Sequence, residues 1–398
     1  MMHFLLATIQ VVTFLGVVSS CIYYMLCLWS ATAFLRERQA GEGPFDCISG
    51  QVRPTQNLPP VSILKPLKGT DPEMYDSFRS HCLQDYLEYE IIFGVSDPND
   101  PAIESVKQLQ REFPERQIQL VFCPKILGAN VKVSNLVQML PQASYDCLII
   151  NDSDIRVPPD YLRRVIAPLT EPRVGMVTCL YRGVAGPTLG SRLEALGIAT
   201  DFCPGVLAAR LLERGIRFGL GSTLAFRRAD LEKIGGFAPL VDYLADDYEL
   251  GKRIASLELI VKLSRVVVET HLPSYDLRGY FAHQLRWARG IRDARAGGYI
   301  GLVFTFGLLW ALLVVLASRG AFWAWIALAV TLIFRVTGAL VVSQSVLDDW
   351  EASDNAWLIP LRDLLAVGIW IASLSGHTVV WRGERFRLRK GKLSRIPP

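Results

Sequence analysis

Apolar residues are concentrated near the two ends of the chain. Residues 4–35 contain no charged side chain, and this run is longer than the roughly 20 apolar residues with which a helix crosses a bilayer. It is also too long for the apolar part of a secretory signal peptide, and no Lys or Arg precedes it. We therefore predict a transmembrane anchor over residues 1–35.

The C-terminal apolar region consists of three segments. Two of them fill residues 299–342 and are separated only by Arg319 and Gly320, which predicts a helical hairpin. The third, residues 364–380, is marginal in length for a complete crossing. We predict a C-terminal transmembrane region over residues 299–382.

Charged residues beside and within these segments indicate their orientation. Arg36 and Arg38 follow the anchor, and positive charge next to a span tends to stay in the cytosol. This predicts an integral membrane protein whose middle domain is cytosolic, in a bacterial inner membrane or in the Golgi or ER. Arg335 lies inside the hairpin and should face a partner helix, a cavity or a lipid head group. The basic tail, residues 383–398, lies on the far side if all segments cross, unless the last segment dips in and returns.

The polar stretch between the apolar ends alternates between two periodicities. Short apolar runs predict strands at residues 61–67, 90–95, 118–122, 145–150 and 174–180. Amphipathic runs between them predict helices at residues 74–83, 102–113, 131–140 and 158–169. Such alternation predicts an α/β domain with a mostly parallel sheet that helices cover on both faces. We place this domain at residues 61–275, after a linker at 36–60 that is rich in Gly, Pro, Gln and Asn.

Composition narrows the class of protein. Hydrophobic residues make up 51% of the 398 residues and charged residues 20%, which excludes a disordered chain and favours membrane segments attached to a globular domain. The net charge of +4 gives no reason to expect a nucleic-acid partner. The eight cysteines lack metal-ligand spacing, so we expect buried thiols in a reducing compartment.

Acidic residues follow two of the predicted strands, and ligands of parallel sheets bind beyond the carboxyl ends of the strands. Asp97 comes after one strand, and Asp152 and Asp154 come after another. In an extended segment, two Asp residues separated by one position point the same way. Both carboxylates can then face one Mg²⁺ or Mn²⁺, whose remaining ligands are substrate phosphates. An Asx turn is the alternative, and the position after a buried strand favours the metal site.

Asp246 and Asp247 precede a predicted helix. One of the two carboxylates is expected to cap that helix. The other is left for chemistry, because a neighbouring negative charge raises the pKa of a carboxyl group toward that of a general base.

An amphipathic helix is predicted over residues 276–298, directly before the hairpin. Most of its arginines suit contact with anionic lipid at the membrane interface. Arg286 stands next to Trp287, and a guanidinium group there can hold a diphosphate leaving group. Asp201 and Phe202 are candidates for the entrance of an acceptor site, and a surface helix packed on the sheet is the equal alternative for their segment.

These features together resemble the ceramide glucosyltransferase family, whose members are membrane glycosyltransferases with a Rossmann-like GT-A fold. The resemblance covers nearly the whole chain. It rests on Val61 to Gly69, Asp97 with Asp100-Pro101-Ala102, Asp152-Ser153 with Ile155-Arg156-Val157, Ala245 to Tyr248, Leu285-Arg286-Trp287, and Trp381-Arg382 with Arg385 to Arg389.

The resemblance implies a role for each motif. Asp97 would contact the uridine of a UDP-sugar donor, and Asp247 would be the catalytic base. Asp152 and Asp154 would hold Mg²⁺ or Mn²⁺ on the diphosphate. Lys65 and Gly69 are further implied donor-binding positions, and Asp152 would contact the donor as well as the metal. Arg286 and Trp287 would belong to a (Q/R)xxRW box that binds the leaving group or the acceptor.

Two positions depart from the family pattern. The first position of the box is His283, with Gln284 one place away. Asp154 completes a motif that is weaker in the eukaryotic ceramide enzymes, which favours bacterial relatives, including glycosyltransferases of the hopanoid pathway.

The implied reaction is an inverting, metal-dependent transfer of a sugar, with glucose favoured, to the primary hydroxyl of a membrane lipid. One alternative is a hopanoid N-acetylglucosaminyltransferase. A processive polysaccharide synthase ranks lower, because such enzymes usually have more membrane spans. A non-catalytic sugar-nucleotide-binding membrane protein would not be expected to keep Asp152, Asp154 and Asp247.

Overall fold

The computed structural model describes residues 2–41 and 58–396, so most of the predicted linker lies outside the described residues. These residues form two compact units, which we call the helical unit and the sheet unit. The helical unit consists of residues 2–41, 187–212 and 275–377. The sheet unit consists of the described residues among 58–186, 213–274 and 378–396.

The sheet unit contains an eight-stranded sheet. Its strands are β1 (Val61–Leu67), β2 (Tyr89–Val95), β3 (Gln117–Phe122), β4 (Cys147–Ile150), β5 (Ile155–Arg156), β6 (Val174–Val184), β7 (Leu224–Arg227) and β8 (Ile260–His271). They are arranged in the order β3-β2-β1-β4-β7-β6-β8-β5. The predicted parallel pairing is confirmed for β1 with β2 and β4, for β2 with β3, and for β6 with β8. β7 runs antiparallel to both of its neighbours, so the sheet is mixed.

Helices lie in both units. In chain order they are α1 (Met2–Gly41), α2 (Met74–Cys82), α3 (Ala102–Glu112), α4 (Val131–Met139), α5 (Tyr161–Ile166), α6 (Leu189–Gly197), α7 (Cys203–Leu212), α8 (Arg228–Lys233), α9 (Asp246–Ala255), α10 (Leu277–Ala294), α11 (Ala296–Gly301), α12 (Gly307–Ala317), α13 (Phe322–Val341), α14 (Trp350–Asp354) and α15 (Ile359–Leu374). All five predicted strands and all four predicted helices of the α/β domain are present, with ends shifted by a few residues.

The predicted hairpin is formed by α12 and α13. Arg319 and Gly320 turn the chain between them with positive φ angles of 56° and 77°. Arg335 on α13 is buried, and its guanidinium group donates to both carboxylate oxygens of Asp363 on α15, at 2.9 and 2.7 Å. It also donates to the carbonyl oxygen of Thr200 at 2.7 Å. Of the three surroundings predicted for Arg335, the structure shows a partner helix.

The last apolar segment differs from its prediction. The helix begins earlier, at Ile359, and ends at Leu374. Gly376 follows it with a positive φ of 74°. Residues 378–381 form a strand because Val379 and Trp381 contribute to an apolar cluster of the sheet unit. The predicted separate tail is part of the sheet unit, where it forms β9 (Thr378–Trp381), β10 (Glu384–Arg389) and β11 (Lys392–Arg395).

Several helical segments are long and apolar enough to cross a membrane. They are Phe4–Gln39, Leu189–Leu212, Phe322–Val346 and Ala356–Leu374, together with the pair Ala296–Thr305 and Gly307–Ala317, which is bent by 50°. The sheet unit supplies the chain on both sides of residues 187–212 and of residues 275–377. We expect the sheet unit to lie on one side of the membrane, so that each insertion returns to the side on which it began. A single helix at Leu189–Leu212 would then not cross, and residues 275–377 would cross an even number of times.

The strands β9, β10 and β11 form a second sheet, which we call the C-terminal sheet. We expect a soluble reagent to reach this sheet and α3 from the same side of the membrane. Single cysteines introduced as Arg389→Cys and Lys107→Cys, both at exposed positions, should react with a membrane-impermeant maleimide in the same orientation of sealed vesicles. The unmodified chain gives the background from its own cysteines. Labelling of the two cysteines from opposite sides would contradict the assignment of residues 378–396 to the sheet unit.

Candidate functional site

The loops after β1 and β2 meet at the carboxyl edge of the sheet. The backbone N–H of Gly69 donates to both carboxylate oxygens of Asp100, at 3.1 and 2.9 Å. Gly69 has a φ of 72°, a conformation that glycine adopts without steric cost. Asp97 is exposed and accepts a hydrogen bond from the backbone N–H of Asn99 at 2.8 Å. The loop that carries the predicted donor-binding residues is thus ordered by carboxylates.

The segment after β4 is a tight turn. The backbone N–H of Ile155 donates to the carbonyl oxygen of Asp152 at 3.4 Å, so the extended geometry from which we argued is wrong. The two carboxylates have different partners: Asp152 Oδ1 lies 2.7 Å from Lys132 Nζ, and Asp154 Oδ2 accepts from Thr270 Oγ1 at 2.5 Å. Binding of one cation by both carboxylates stays a prediction.

Asp154 is half-buried within the sheet unit. Loss of solvent contact raises the pKa of its carboxyl group to about 6, and the negative charge of Asp152 adds to the increase. The side chain of Asp152 is 42% exposed, which leaves it accessible to a cation.

Lys132 on α4 was not predicted and lies among the acidic residues. Its ammonium group is 2.7 Å from Asp152 Oδ1 and 3.2 Å from Asp246 Oδ2. Burial alone would lower the pKa of Lys132, but the nearby carboxylates outweigh it and the pKa is raised. The sequence contains one signal for this role, because a cation in the first turn of a helix is unfavourable unless anions compensate it.

Lys65 is fully buried in the middle of β1. Its Nζ donates to the carbonyl oxygen of Asp152 at 3.1 Å. Burial lowers the pKa of Lys65 to about 7, against the opposing effect of Asp154 and Asp152. The hydrogen bond from Lys65 therefore holds the turn after β4 in place. Its buried position does not favour the predicted direct contact with the sugar-nucleotide donor.

Asp246 and Asp247 occupy the first turn of α9. The N-cap residue is Ala245, which makes no side-chain cap, so neither carboxylate occupies the N-cap position. Asp246 Oδ1 instead accepts from Asn130 Nδ2 at 3.2 Å, in addition to its contact with Lys132. Asp247 Oδ1 accepts from the backbone N–H of Tyr248 at 2.8 Å.

Asp247 has the perturbed pKa that the sequence predicted. Burial raises the pKa of its carboxyl group to about 6, the charge of Asp246 raises it further, and Lys132 opposes the increase. Burial is thus a larger cause than the neighbouring acid. Such a pKa suits a general base near neutral pH.

Gly221 brings two of the carboxylates toward one point. A Cβ atom added at Gly221 would lie 2.7 Å from Asp152 Oδ2 and 3.3 Å from Asp247 Oδ2. The two oxygens therefore face the same small volume, which only a residue without a side chain leaves open.

The donor atoms of this site fit a divalent cation that shares its ligands with a substrate. Among the described residues, no three His, Cys, Asp or Glu side chains are grouped closely enough to hold a metal ion by themselves. Mg²⁺ is commonly bound through one or two carboxylates while phosphate oxygens and water complete the octahedron. Asp152, whose side chain is 42% exposed, would supply one carboxylate of that partial set, and Asp154 is the second predicted ligand.

The remaining predicted site residues belong to the helical unit. The ring of His283 stacks on Tyr275 with a centroid distance of 5.3 Å and lies 5.5 Å from the ring of Trp287. Trp287 contacts Phe202 edge to face at 6.2 Å. Gln284 and Arg286 are half-buried on the same helix, α10. The structure thus brings part of the predicted box together with one of the two predicted acceptor residues.

Two carboxylates of the 189–212 segment have partners in the helical unit: Glu194 contacts His283 of the predicted box, and Asp201 contacts α15. Glu194 is buried, and its Oε1 lies 3.1 Å from His283 Nδ1. Asp201 accepts from Arg362 at 2.6 Å. This segment packs on α1 within the helical unit, so it is not the surface helix on the sheet that was its alternative.

The sequence model of glycosyl transferase family 21 matches residues 12–394. The chain belongs to this family. The predicted resemblance to ceramide glucosyltransferases is thereby confirmed, and this family 21 chain is a sugar-transferring enzyme with a GT-A-like sheet domain.

Individual relatives agree with the family. Ceramide glucosyltransferase 1 of Caenorhabditis elegans is 25% identical over 362 residues, which cover 86% of this chain and 74% of that protein. Ceramide glucosyltransferase 3 of the same organism is 24% identical over 240 residues, or 60% of this chain and 52% of that protein.

A solved structure supports the fold. The mannosyltransferase PcManGT from Pyrobaculum calidifontis, in complex with GDP-Man and Mn²⁺, has a TM-score of 0.53 and 18% sequence identity. The match covers 91% of this chain and 98% of the mannosyltransferase. At this level of identity the likeness is one of fold.

We expect Gly221→Ala to lower the rate of sugar transfer by about 100-fold, because displacement of a reacting group by about 1 Å has this cost. The added Cβ would displace the carboxylates of Asp152 and Asp247. Steady-state assays of the purified enzyme measure the rate, and a thermal melt verifies folding.

The matched control is Gly297→Ala, where an added Cβ meets no atom within 4 Å. A Gly221→Ala enzyme that is as active as this control would show that the two carboxylates do not need the open volume.

Proposed function

We propose that this family 21 enzyme transfers a sugar, with glucose favoured, from a UDP-sugar to the primary hydroxyl of a membrane lipid of the ceramide type. The transfer is a single displacement at the anomeric carbon and inverts its configuration. The observation that carries the proposal is the Asp247 carboxyl group, whose raised pKa and position beside Asp152 suit a base next to a donor site.

Asp247 acts as the general base. Its ionised carboxylate accepts the proton of the lipid hydroxyl while the hydroxyl oxygen attacks the anomeric carbon. Burial keeps the pKa near the operating pH, so a useful fraction is ionised while proton affinity stays high. A carboxylate in water would be ionised completely and would be a weaker base.

The diphosphate of the donor binds near Asp152 and Lys132. A bound Mg²⁺ or Mn²⁺ would neutralise charge on the diphosphate and make UDP a better leaving group. Asp152 would hold that ion, and Asp154 is the second predicted ligand. Lys132 keeps its positive charge among the acids and so lowers the repulsion that an anionic donor would meet.

Other predicted residues complete the assignment. Asp97 is exposed after β2 and is proposed to contact the uridine. Arg286 and Trp287 are proposed to bind the leaving group or the acceptor, with Gln284 and His283 in support. Phe202 contacts Trp287, which supports its proposed place at the acceptor entrance.

The lipid acceptor and the cytosolic location rest on the membrane helices and on charge. The helical unit provides apolar segments that can confine a lipid acceptor beside the enzyme, and the named relatives are ceramide glucosyltransferases. The C-terminal sheet is basic and belongs to the sheet unit, and Arg36 and Arg38 lie at the end of α1, before the chain enters that unit. Positive charge on the side of that unit supports a cytosolic active site.

We expect Asp247→Asn to lower lipid glycosylation by a factor of about 10² to 10⁴, the usual contribution of a general base. Binding of UDP should be retained, because the amide keeps the shape of the carboxyl group. The assay follows UDP release and glycolipid formation in detergent with Mn²⁺. Asp146→Asn, which changes a 93% exposed side chain, is the matched control. Unchanged transfer by Asp247→Asn would overturn the assignment of the base.

The acceptor is identified by a panel of ceramide, diacylglycerol and a polyhydroxylated hopanoid, each with UDP-glucose and with UDP-N-acetylglucosamine. We expect the highest kcat/KM for ceramide with UDP-glucose. Preference for the hopanoid with UDP-N-acetylglucosamine would replace the proposed substrates and keep the proposed chemistry.

We expect kcat/KM to fall as the pH decreases through about 6. The base is active when ionised, and at pH 5 only about a tenth of a carboxyl group with a pKa of about 6 is ionised. Transfer at pH 5 should therefore be about tenfold slower than on the plateau above pH 7. The pKa obtained belongs to the group of interacting carboxylates as a whole. A rate that stays constant from pH 7.5 to 5 would contradict a base with this pKa.

A further inference from the structure

The C-terminal sheet is the part of the sheet unit that β9, β10 and β11 form. β10 pairs antiparallel with β9 and with β11. Its alternate residues Phe386 and Leu388 are buried, and they pack with Val379, Leu393 and Ala129 in one apolar cluster. The basic residues between them point away from this cluster and are exposed. The alternation explains why so basic a segment is well packed.

One end of this sheet contacts the loop after β1. Arg382 Nη1 donates to the carbonyl oxygen of Lys68 at 2.7 Å, and Nη2 lies 3.4 Å from Asp71 Oδ2. Lys68 Nζ forms an ion pair with Glu384 at 3.3 Å. Asp71 Oδ2 in turn accepts from Ser153 Oγ at 2.5 Å. Arg382 is thus linked through one carboxylate to the turn that carries Asp152 and Asp154.

The other end of the sheet contacts the segment before α9. The backbone N–H of Leu244 donates to the carbonyl oxygen of Gly391 at 3.0 Å, and that of Leu393 donates to the carbonyl oxygen of Asp242 at 2.6 Å. Lys392 Nζ lies 5.3 Å from the centre of the Tyr243 ring. This segment leads directly into Asp246 and Asp247.

We propose that the C-terminal sheet is a clamp that fixes the turn at Asp152 relative to the first turn of α9, and that Arg382 is a positioning residue within it. Residues 68–71 and 242–244 are far apart in sequence, and the clamp contacts both through backbone and side-chain hydrogen bonds. The first of these segments is linked to the Asp152 turn through Asp71 and Ser153, and the second leads into α9. Its effect on sugar transfer rests on the proposed function, whereas the clamp itself is a property of the fold.

The choice of arginine has a physical reason. Its planar guanidinium group presents donors in a fixed arrangement, and two of them reach a carbonyl oxygen and a carboxylate at once. The ammonium group of a lysine is a single centre and does not reproduce this geometry. The loop that Arg382 contacts includes Gly69, whose backbone is free to adopt other conformations, so it depends on such contacts for its position.

Hydrogen exchange tests the clamp independently of catalysis. In Arg382→Ala, amide exchange in residues 68–71 should accelerate about tenfold, because each lost hydrogen bond lowers the free energy of local opening. Arg382→Lys should show an intermediate increase. Arg387→Ala removes an exposed arginine of β10 and is the matched control. Exchange in residues 68–71 that is the same in Arg382→Ala and in the control would overturn the clamp.

Binding and turnover test the positioning role. Arg382→Ala should weaken UDP binding in the presence of Mn²⁺ and reduce kcat by about tenfold or more, with partial rescue in Arg382→Lys and a melting temperature close to that of Arg387→Ala. If Arg382 acts through Asp71, the double variant with Asp71→Asn should be no slower than Asp71→Asn alone. Additive losses, or unchanged binding and kcat with accelerated exchange, would overturn the positioning role.

These measurements separate the two proposals. A wild-type chain that neither binds UDP nor transfers a sugar would contradict the proposed function, and hydrogen exchange would still decide whether the clamp exists. A chain that is active with no change in exchange on loss of Arg382 would retain the function and reject the clamp.

Discussion

The mutual repulsion of carboxylates at the carboxyl edge of the sheet is the constraint on which the site depends. Asp152, Asp246 and Asp247 lie close together in a partly buried region, where like charges interact strongly. The ammonium group of Lys132 lies between the first two and offsets the repulsion between them. Asp247 has no such direct contact with Lys132 among the ion pairs of the described residues, and burial together with the charge of Asp246 raises its pKa. The position of one cation therefore distinguishes Asp152 and Asp246 from the carboxylate that we propose as the base.

A second amine contacts the backbone of the turn. Lys65 is fully buried in β1, and its donor bond to the Asp152 carbonyl oxygen holds the turn onto the sheet. Asn151 reinforces the same position by donating to the carbonyl oxygen of Ser222 at 2.7 Å, next to Gly221. The turn and Gly221 are therefore positioned by buried polar contacts, which break less readily than contacts on the surface because water does not compete for them.

Local patterns in the sequence account for the elements that were predicted. β1 is a continuous apolar run with one lysine and one proline, and its predicted limits match the structure. β8 was missed because Lys262, Arg265 and Glu269 interrupt its apolar residues, although the strand alternates between buried and half-buried positions. β7 has only four residues and is too short to show a period. Its antiparallel direction is seen only in its pairing with β4 and β6, which no local pattern records.

The site divides in the same way. Asp97, Asp152 and Asp247 could be proposed from the sequence because acids after buried strands or at a helix start stand out. Asp71 gave no signal, and Lys132 gave only its position in the first turn of a helix, because the contacts of both residues join distant segments. Asn130, which caps α4 beside Lys132, reaches Asp246 across 116 positions of the chain. Only the folded sheet brings such residues together.

The charges among the apolar helices follow the same principle of pairing. Arg335 with Asp363 and Arg362 with Asp201 form two ion pairs within the helical unit, as expected for charged side chains among apolar helices. The pair with Asp201 ties the 189–212 segment to α15. The Asp201 side chain is still 43% exposed, and a carboxylate has several acceptor positions. It can accept a hydrogen bond from a lipid hydroxyl without giving up Arg362, so the ion pair and the proposed acceptor role are compatible.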